Sequence, residues 1–229
     1  MPLVIGHSMG GKTALLFALT HAHQNASLLG GLVSLDASPA SYSHSHSRVF
    51  ETMANFDFEK VNDFVAKLQR ERVAQGDSEK LADKRRWRDI SKVRQRAFKE
   101  LGSTADYNGA FSLTVSECAF VLENLDFANL FRSSVPARLS WVCNLEVLQK
   151  KESEVHSFPE MNASCHLPTL FLGGTESSRL TYPEYLKQVE KLFPQHNVKI
   201  LNKAGHFLYR THAKEVISAI VKYSLTRYK

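Results

Sequence analysis

Leu3-Val4-Ile5-Gly6-His7-Ser8-Met9-Gly10-Gly11-Lys12-Thr13-Ala14-Leu15-Leu16-Phe17-Ala18-Leu19 is the stretch that decides the fold. Its short apolar, β-branched opening reads as a buried strand, the glycines bound a tight turn, and the run from Lys12 reads as a helix. A second unit follows, with Leu32-Val33-Ser34-Leu35 as a buried strand that stops at Asp36, before Ser38-Pro39. The third strand is Thr169-Leu170-Phe171-Leu172, opened by Pro168 and closed by Gly173-Gly174, and the fourth is Val198-Lys199-Ile200-Leu201, leading to Ala204-Gly205-His206. Tyr185, Val189 and Leu192 recur at helical spacing between the last two strands. Val216, Ile217, Ile220 and Val221 do so after them. Strands alternating with helices specify the α/β class, a parallel sheet flanked by helices.

Between Asp36 and Pro168 the pattern changes to helices only. Val61, Phe64, Val65 and Leu68 keep helical spacing, and so do Ile90, Val93, Ala97 and Leu101 inside a very charged stretch. A segment this long is an insertion with its own packing, since structureless loops rarely exceed about 15 residues. The expected organisation is therefore a core segment over 1–39, a large helical cap insertion over 40–167 and a second core segment over 168–229.

Composition narrows the function classes. The chain has 229 residues, 43% hydrophobic and 23% charged, which is ordinary globular composition with enough apolar material for one substantial α/β domain. Cys118, Cys143 and Cys165 are odd in number and far apart, so no zinc or redox motif is spelled out, and a reducing, intracellular compartment is expected. No apolar run approaches the roughly 20 residues that span a bilayer, so no transmembrane segment is expected. The formal charge of +6 describes a mildly basic surface, compatible with an acidic or membrane-derived lipid substrate. Lys84-Arg85-Arg86-Trp87-Arg88, continuing to Lys92, Arg94, Arg96 and Lys99, suggests a nucleic-acid surface. Glu79, Asp83, Asp89 and Glu100 interleave it, however, and an apolar helical stripe runs through it, so a solvated helix and no nucleic-acid partner are expected.

Gly6-x-Ser8-x-Gly10 between a strand and a helix is the nucleophile-elbow pattern. The chemistry needs a serine lifted out of the strand on a turn so sharp that its neighbours at Gly6 and Gly10 have no room for side chains, with the serine itself strained. Gly11 then lets the helix pack close to the sheet. The helix behind Ser8 aims its amides and positive dipole end at the reacting centre, which makes the Met9 N–H the first oxyanion donor. Of the ten histidines, His206 is the one placed just past the last strand, at the same sheet edge as Ser8, and it is the expected general base. His7 is expected to line the pocket. His21 and His23 suit a helix C-terminus, and His44 and His46 lack a third ligand, so no metal is expected. The acid that orients the base must be a carboxylate at a strand end. Asp36 is favoured because it ends the strand beside the nucleophile strand, with Glu176 and Glu146 as the alternatives.

Pro2 to Ala14, Leu35-Asp36-Ala37-Ser38-Pro39, Trp141-x-x-Asn144-Leu145, Pro168-Thr169-Leu170-Phe171-Leu172-x-Gly174 and Asn202-x-Ala204-Gly205-His206 together resemble the alpha/beta-hydrolase domain-containing protein eleven subfamily and its bacterial esterase relatives, over nearly the whole chain. The resemblance implies an α/β-hydrolase fold whose insertion caps the site. It implies hydrolysis of carboxylic esters or thioesters of lipid or acyl type, no cofactor and, for the eukaryotic members, a mitochondrial location. It also places an aspartate at the position of Asp36 and an acid at that of Glu146, where this chain has glutamate. The aspartate usual beyond the third strand is Ser177 here. In such folds several strands precede the nucleophile strand and one of their loops supplies a second oxyanion N–H. Met1 stands a few residues before Ser8, so the chain reads as truncated at its front. A missing donor would lower the rate by about a hundredfold to a thousandfold. The alternative function is accordingly an impaired hydrolase retained as a binding or interaction protein.

Overall fold

A computed structural model of the chain describes residues 1–25, 29–42, 47–74, 89–100, 121–126 and 138–226. Its elements run in the order β1 (Leu3–His7), α1 (Met9–Asn25), β2 (Gly31–Leu35), α2 (Ser47–Ala54), α3 (Phe58–Ala74), α4 (Leu145–Lys150), α5 (Glu152–His156), β3 (Thr169–Gly174), α6 (Pro183–Leu192), β4 (His196–Leu201), α7 (Leu208–Thr211) and α8 (Ala213–Leu225). Residues 89–100 are helical as well. The Lys84 to Arg88 run, Leu101, Cys118, His44 and His46 lie outside the described residues, as does the side chain of His23.

The four strands form one parallel sheet in the order β1-β2-β3-β4. Parallel strands need a crossover, and the helical sequences between them supply it. Alternation along the strands divides the core. Leu32 and Phe171 point to the face covered by Leu15, Ala18 and Leu19 of α1 and by Val189 and Leu192 of α6. Val33, Leu35, Leu170 and Leu172 point to the other face, against Val216, Ala219 and Tyr223 of α8. The expected helix is α8; its buried residues are Val216, Ala219 and Tyr223, while Ile217 and Val221 are 60% and 49% exposed. The hydrophobic run there is wider than the face that packs, because a surface helix buries only the stripe that the sheet can reach. The expected fourth strand is an edge, with Val198 and Ile200 exposed.

The chain divides into two compact units. One comprises Met1–Ser45 with Ser153–Lys229, and the other His46–Glu152. The second has its own core of Val49, Phe50, Met53, Phe56, Val61, Val65, Leu68, Val93, Ala97, Val121, Leu125 and Leu139. Lys92 and Arg96 on its 89–100 helix pair with Asp89 (3.8 Å) and Glu100 (3.0 Å). Phe158 and Cys165, which precede β3, pack in the core of the first unit.

Candidate active site

All four strands end at one edge of the sheet, and each end carries a polar residue into the same place. The ladder continues past the strands: the Ser8 N–H donates to the Leu35 carbonyl (3.0 Å), the Asp36 N–H to that of Leu172 (2.7 Å) and the Thr175 N–H to that of Leu201 (3.0 Å). Three successive strand ends are thereby pinned at the backbone before any side chain takes part.

Ser8 leaves β1 with φ +53°, the left-handed region that costs an L-residue about 1–2 kcal/mol. The turn tolerates this because helix α1 begins at once, with the Lys12 N–H taking the Ser8 carbonyl at 3.0 Å. A Cβ at Gly6 would land on the Gly10 carbonyl, so Gly6 is required by close approach. A Cβ at Gly11 would meet Ala37 Cβ at 2.9 Å and Ser34 Oγ at 3.0 Å, which is how the helix lies so close to β2. Gly10 differs from the expectation: a Cβ there meets nothing within 4 Å. The crowding of the elbow falls on its strand side, where the chain folds back over Gly6, and Gly10 forms the ceiling with its backbone alone.

Asp36 also has a positive φ, +49°, and its side chain is fully buried. His206 follows β4 on a loop held by several bonds. Its Glu176 N–H to Ala204 carbonyl bond is 2.9 Å, its Lys203 N–H to Thr175 Oγ1 bond is 2.8 Å, and His7 Nε2–H donates to the His206 carbonyl at 2.8 Å. These supports bring three expected residues together. The Ser8 hydroxyl donates to His206 Nε2 at 2.9 Å, and His206 Nδ1–H donates to Asp36 Oδ2 at 2.6 Å. His7, next to Ser8 in the chain, packs its ring on His206 with centroids 4.6 Å apart and so braces the histidine loop. Met9 is the first residue of α1, directly after Ser8. The alternative acids lie elsewhere. Glu176 is exposed after β3, and Glu146 is exposed on α4 with Lys150 2.6 Å from it.

Two residues of the site were not read as such from the sequence. Ser177, in the loop after β3, donates its hydroxyl to Asp36 Oδ2 at 2.6 Å, and Arg179 places a guanidinium nitrogen 3.7 Å from the same oxygen. Only the position of Ser177 just beyond a strand end hints at its role, and Arg179 sits in an ordinary polar loop. Lys12 is buried too: its ammonium donates to the carbonyls of His156 (2.6 Å) and Ser157 (3.3 Å) and lies 3.7 Å over the Tyr42 ring. The lysine that follows the elbow glycines thus fastens α1 to the chain segments at Tyr42 and His156.

Burial governs the charges. It lifts the Asp36 carboxyl to about 6, against the pull of Ser177, Arg179, His7 and the Gly174 amide. His206 is held well below the ordinary imidazole range, first by burial and then by Arg179 and His7, so its Nε2 is free to accept a proton at neutral pH. Burial lowers the Lys12 ammonium to about 8 and raises Tyr42 to about 12. Among the described residues no group of three His, Cys, Asp or Glu side chains could hold a metal ion.

A serine at the end of one strand, a histidine after another and a carboxylate between them thus meet at one edge of a parallel sheet. The family described as alpha/beta hydrolase fold matches residues 2–213. Similar curated proteins include the sn-1-specific diacylglycerol lipase ABHD11 of Xenopus laevis, 28% identical over 96% of this chain and 57% of the relative, and that of Mus musculus, 28% identical over 96% and 58%. The chain therefore spans somewhat over half the length of these relatives. Among solved structures, a marine microorganism esterase superposes with a TM-score of 0.68 at 20% identity, covering 96% of this chain and 69% of that one. Sheet order, site geometry and the match over almost the whole sequence lead to one conclusion: the chain belongs to the alpha/beta hydrolase fold family.

Proposed function

We propose that the chain is a serine hydrolase that cleaves carboxylic esters or thioesters of lipid or acyl substrates through an acyl-enzyme. The observation that carries this reading is the unbroken hydrogen-bonded line Ser8 Oγ, His206 Nε2, His206 Nδ1, Asp36 Oδ2. A serine hydroxyl is a poor nucleophile until a positioned base takes its proton. As Ser8 Oγ bonds to the acyl carbon, its proton passes to His206 Nε2, and the Asp36 carboxylate stabilises the imidazolium and holds the tautomer. The carbonyl π electrons move onto oxygen, where the Met9 N–H at the positive end of α1 donates. Collapse of the tetrahedral intermediate expels the alcohol or thiol, which takes the proton from His206. Water then attacks the acyl-serine by the same route and frees the acid. Neither step draws on a cofactor.

Glycerolipid acyl esters are the favoured substrate class. The support is the 28% identity to proteins described as sn-1-specific diacylglycerol lipases, together with the mildly basic charge of +6. Among the described residues no helix is long and apolar enough to cross a membrane.

The test is a fluorophosphonate probe followed by peptide mapping. The expected result is a single adduct on Ser8, lost in Ser8→Ala together with hydrolysis of diacylglycerol and short-chain esters. A folded protein that takes no label, or a Ser8→Ala variant that hydrolyses as fast as the native one, refutes the reading.

A further inference from the structure

Asp36 presents a physical problem that the line Ser8, His206, Asp36 does not solve by itself. A fully buried carboxylate beside a neutral imidazole gains from taking up a proton, and one shared proton on that pair would stop the chemistry: either the acid no longer holds the ring or the base is already occupied. Three groups converge on the single oxygen Asp36 Oδ2. Two are hydrogen-bond donors, Ser177 Oγ and His206 Nδ1, each at 2.6 Å, and neither carries a fixed charge. The third is the Arg179 guanidinium at 3.7 Å, with its side chain only 14% exposed.

Arg179 is well held. It lies between Ser177 and Leu180, both buried, and the Thr181 hydroxyl ties back to the Ser177 carbonyl at 2.8 Å. Its guanidinium carbon sits 5.4 Å from the centre of the Tyr42 ring, against which a planar cation stacks favourably. The other charged or titratable groups acting on the pair are His7, Tyr42 and Lys12. The Lys12 ammonium is committed to the His156 and Ser157 carbonyls, Tyr42 is held neutral, and His7 is a neutral ring donating to the His206 backbone. Of these groups Arg179 is the permanent cation near the carboxylate, and an arginine stays charged at any pH an assay can reach.

The geometry points to Arg179 as a positioning residue of the reaction: a fixed cation that keeps the Asp36–His206 pair in its working form, carboxylate plus neutral imidazole. This rests on the serine hydrolase reading above. Arg179 acts through Asp36, whose Oδ2 it faces at 3.7 Å. Its charge opposes an added proton on either member of the pair, since it favours the Asp36 carboxylate and disfavours the His206 imidazolium alike. The imidazolium that forms in the transition state feels the same repulsion, so the benefit of Arg179 is confined to the acid side of the pH range.

The experiment is the pH dependence of kcat/KM for p-nitrophenyl butyrate, an uncharged ester, from pH 4.5 to 9. Native protein, Arg179→Gln, Arg179→Lys and Ser8→Ala are compared, with folding checked by circular dichroism. An opposite charge at this range shifts a carboxyl by about one to three units. Arg179→Gln is therefore expected to move the acid limb up by about one unit, a loss of about tenfold at pH 5.5, with the rate at pH 8.5 within about threefold of native. Arg179→Lys, which keeps the charge, is expected to leave the limb near its native position. If the glutamine variant does not fold, Arg179→Met keeps the apolar stem against Tyr42 and reads the same limb. An unmoved limb, a limb moved downward, or an equal loss at every pH overturns the inference. Ser8→Ala separates the two levels: should it be inactive while the Arg179 limb stays put, only the role of Arg179 fails. Should Ser8→Ala be as active as native, the hydrolase reading fails and the inference falls with it.

Discussion

Replacing Asp36 by asparagine sets stability against function and gives opposite signs for the two. The native carboxyl is shifted from 3.8 to about 6 by burial, roughly two units, which corresponds to about 3 kcal/mol of disfavour for the folded carboxylate. The sign follows from linkage. A carboxyl whose folded value is raised contributes stability fully present below pH 3.8 and lost as pH rises through about 6. An asparagine has no charge to bury, so Asp36→Asn is expected to match the native protein in urea unfolding at pH 3.5 and to exceed it at pH 8. The gain is bounded by about 3 kcal/mol and reduced by whatever the Ser177 hydroxyl forfeits in turning round. Turnover should move the other way. The amide NH₂ facing His206 Nδ1 forces that nitrogen to accept, which puts the ring proton on Nε2, opposite Ser8 Oγ. The base is then blocked, and kcat should fall by up to about ten-thousandfold with KM little changed. The assay is kcat and KM for a short-chain ester beside urea midpoints at both pH values, with Glu176→Gln and Glu146→Gln as controls expected near native rates. A variant within tenfold of native turnover, or a control that abolishes it, refutes the assignment of Asp36. A loss of several kcal/mol at pH 8 refutes the reasoning from burial.

The elbow can be tested by folding alone. Gly6→Ala drives a methyl into the Gly10 carbonyl and should destabilise by about 3 kcal/mol or more, whereas Gly10→Ala meets open space and should stay within about 1 kcal/mol of native in the same melts. Equal effects at the two positions would show that the crowding is misplaced. For Lys12, burial depresses the ammonium from 10.5 to about 8, so its contribution to stability is present above pH 10.5 and lost as pH falls through about 8. The stability difference between native protein and Lys12→Met should therefore shift in favour of native by up to about 3 kcal/mol between pH 8 and 10.5, and a constant difference would refute it.

The four strands, the helices between them and their parallel arrangement were legible because each signal is local. An apolar β-branched run, a glycine turn and a helical period are set by nearest neighbours, and alternating strands and helices leave one sheet type open to them. Ser8 was legible for the same reason, since its strand, turn and helix are contiguous. His206 was legible by rule, because a loop after the last parallel strand must open at the same edge. The acid was a different matter. Asp36 was favoured by its place at a strand end but Glu176 and Glu146 stayed open, and the structure distinguishes them through the register of β2 between β1 and β3 and the left-handed turn at residue 36. Ser177, Arg179 and the Lys12–Tyr42 contact were out of reach for the same reason: Ser177 meets Asp36 across 141 residues and Lys12 meets His156 across 144. Sequence by itself determined the elements, the edge and the sharp turn that carries Ser8. Tertiary structure settled which of the three carboxylates faces the histidine, where the sequence only favoured Asp36, and it alone decided which cation faces the carboxylate, because those depend on strand register and burial, to which residues far apart in the chain contribute together.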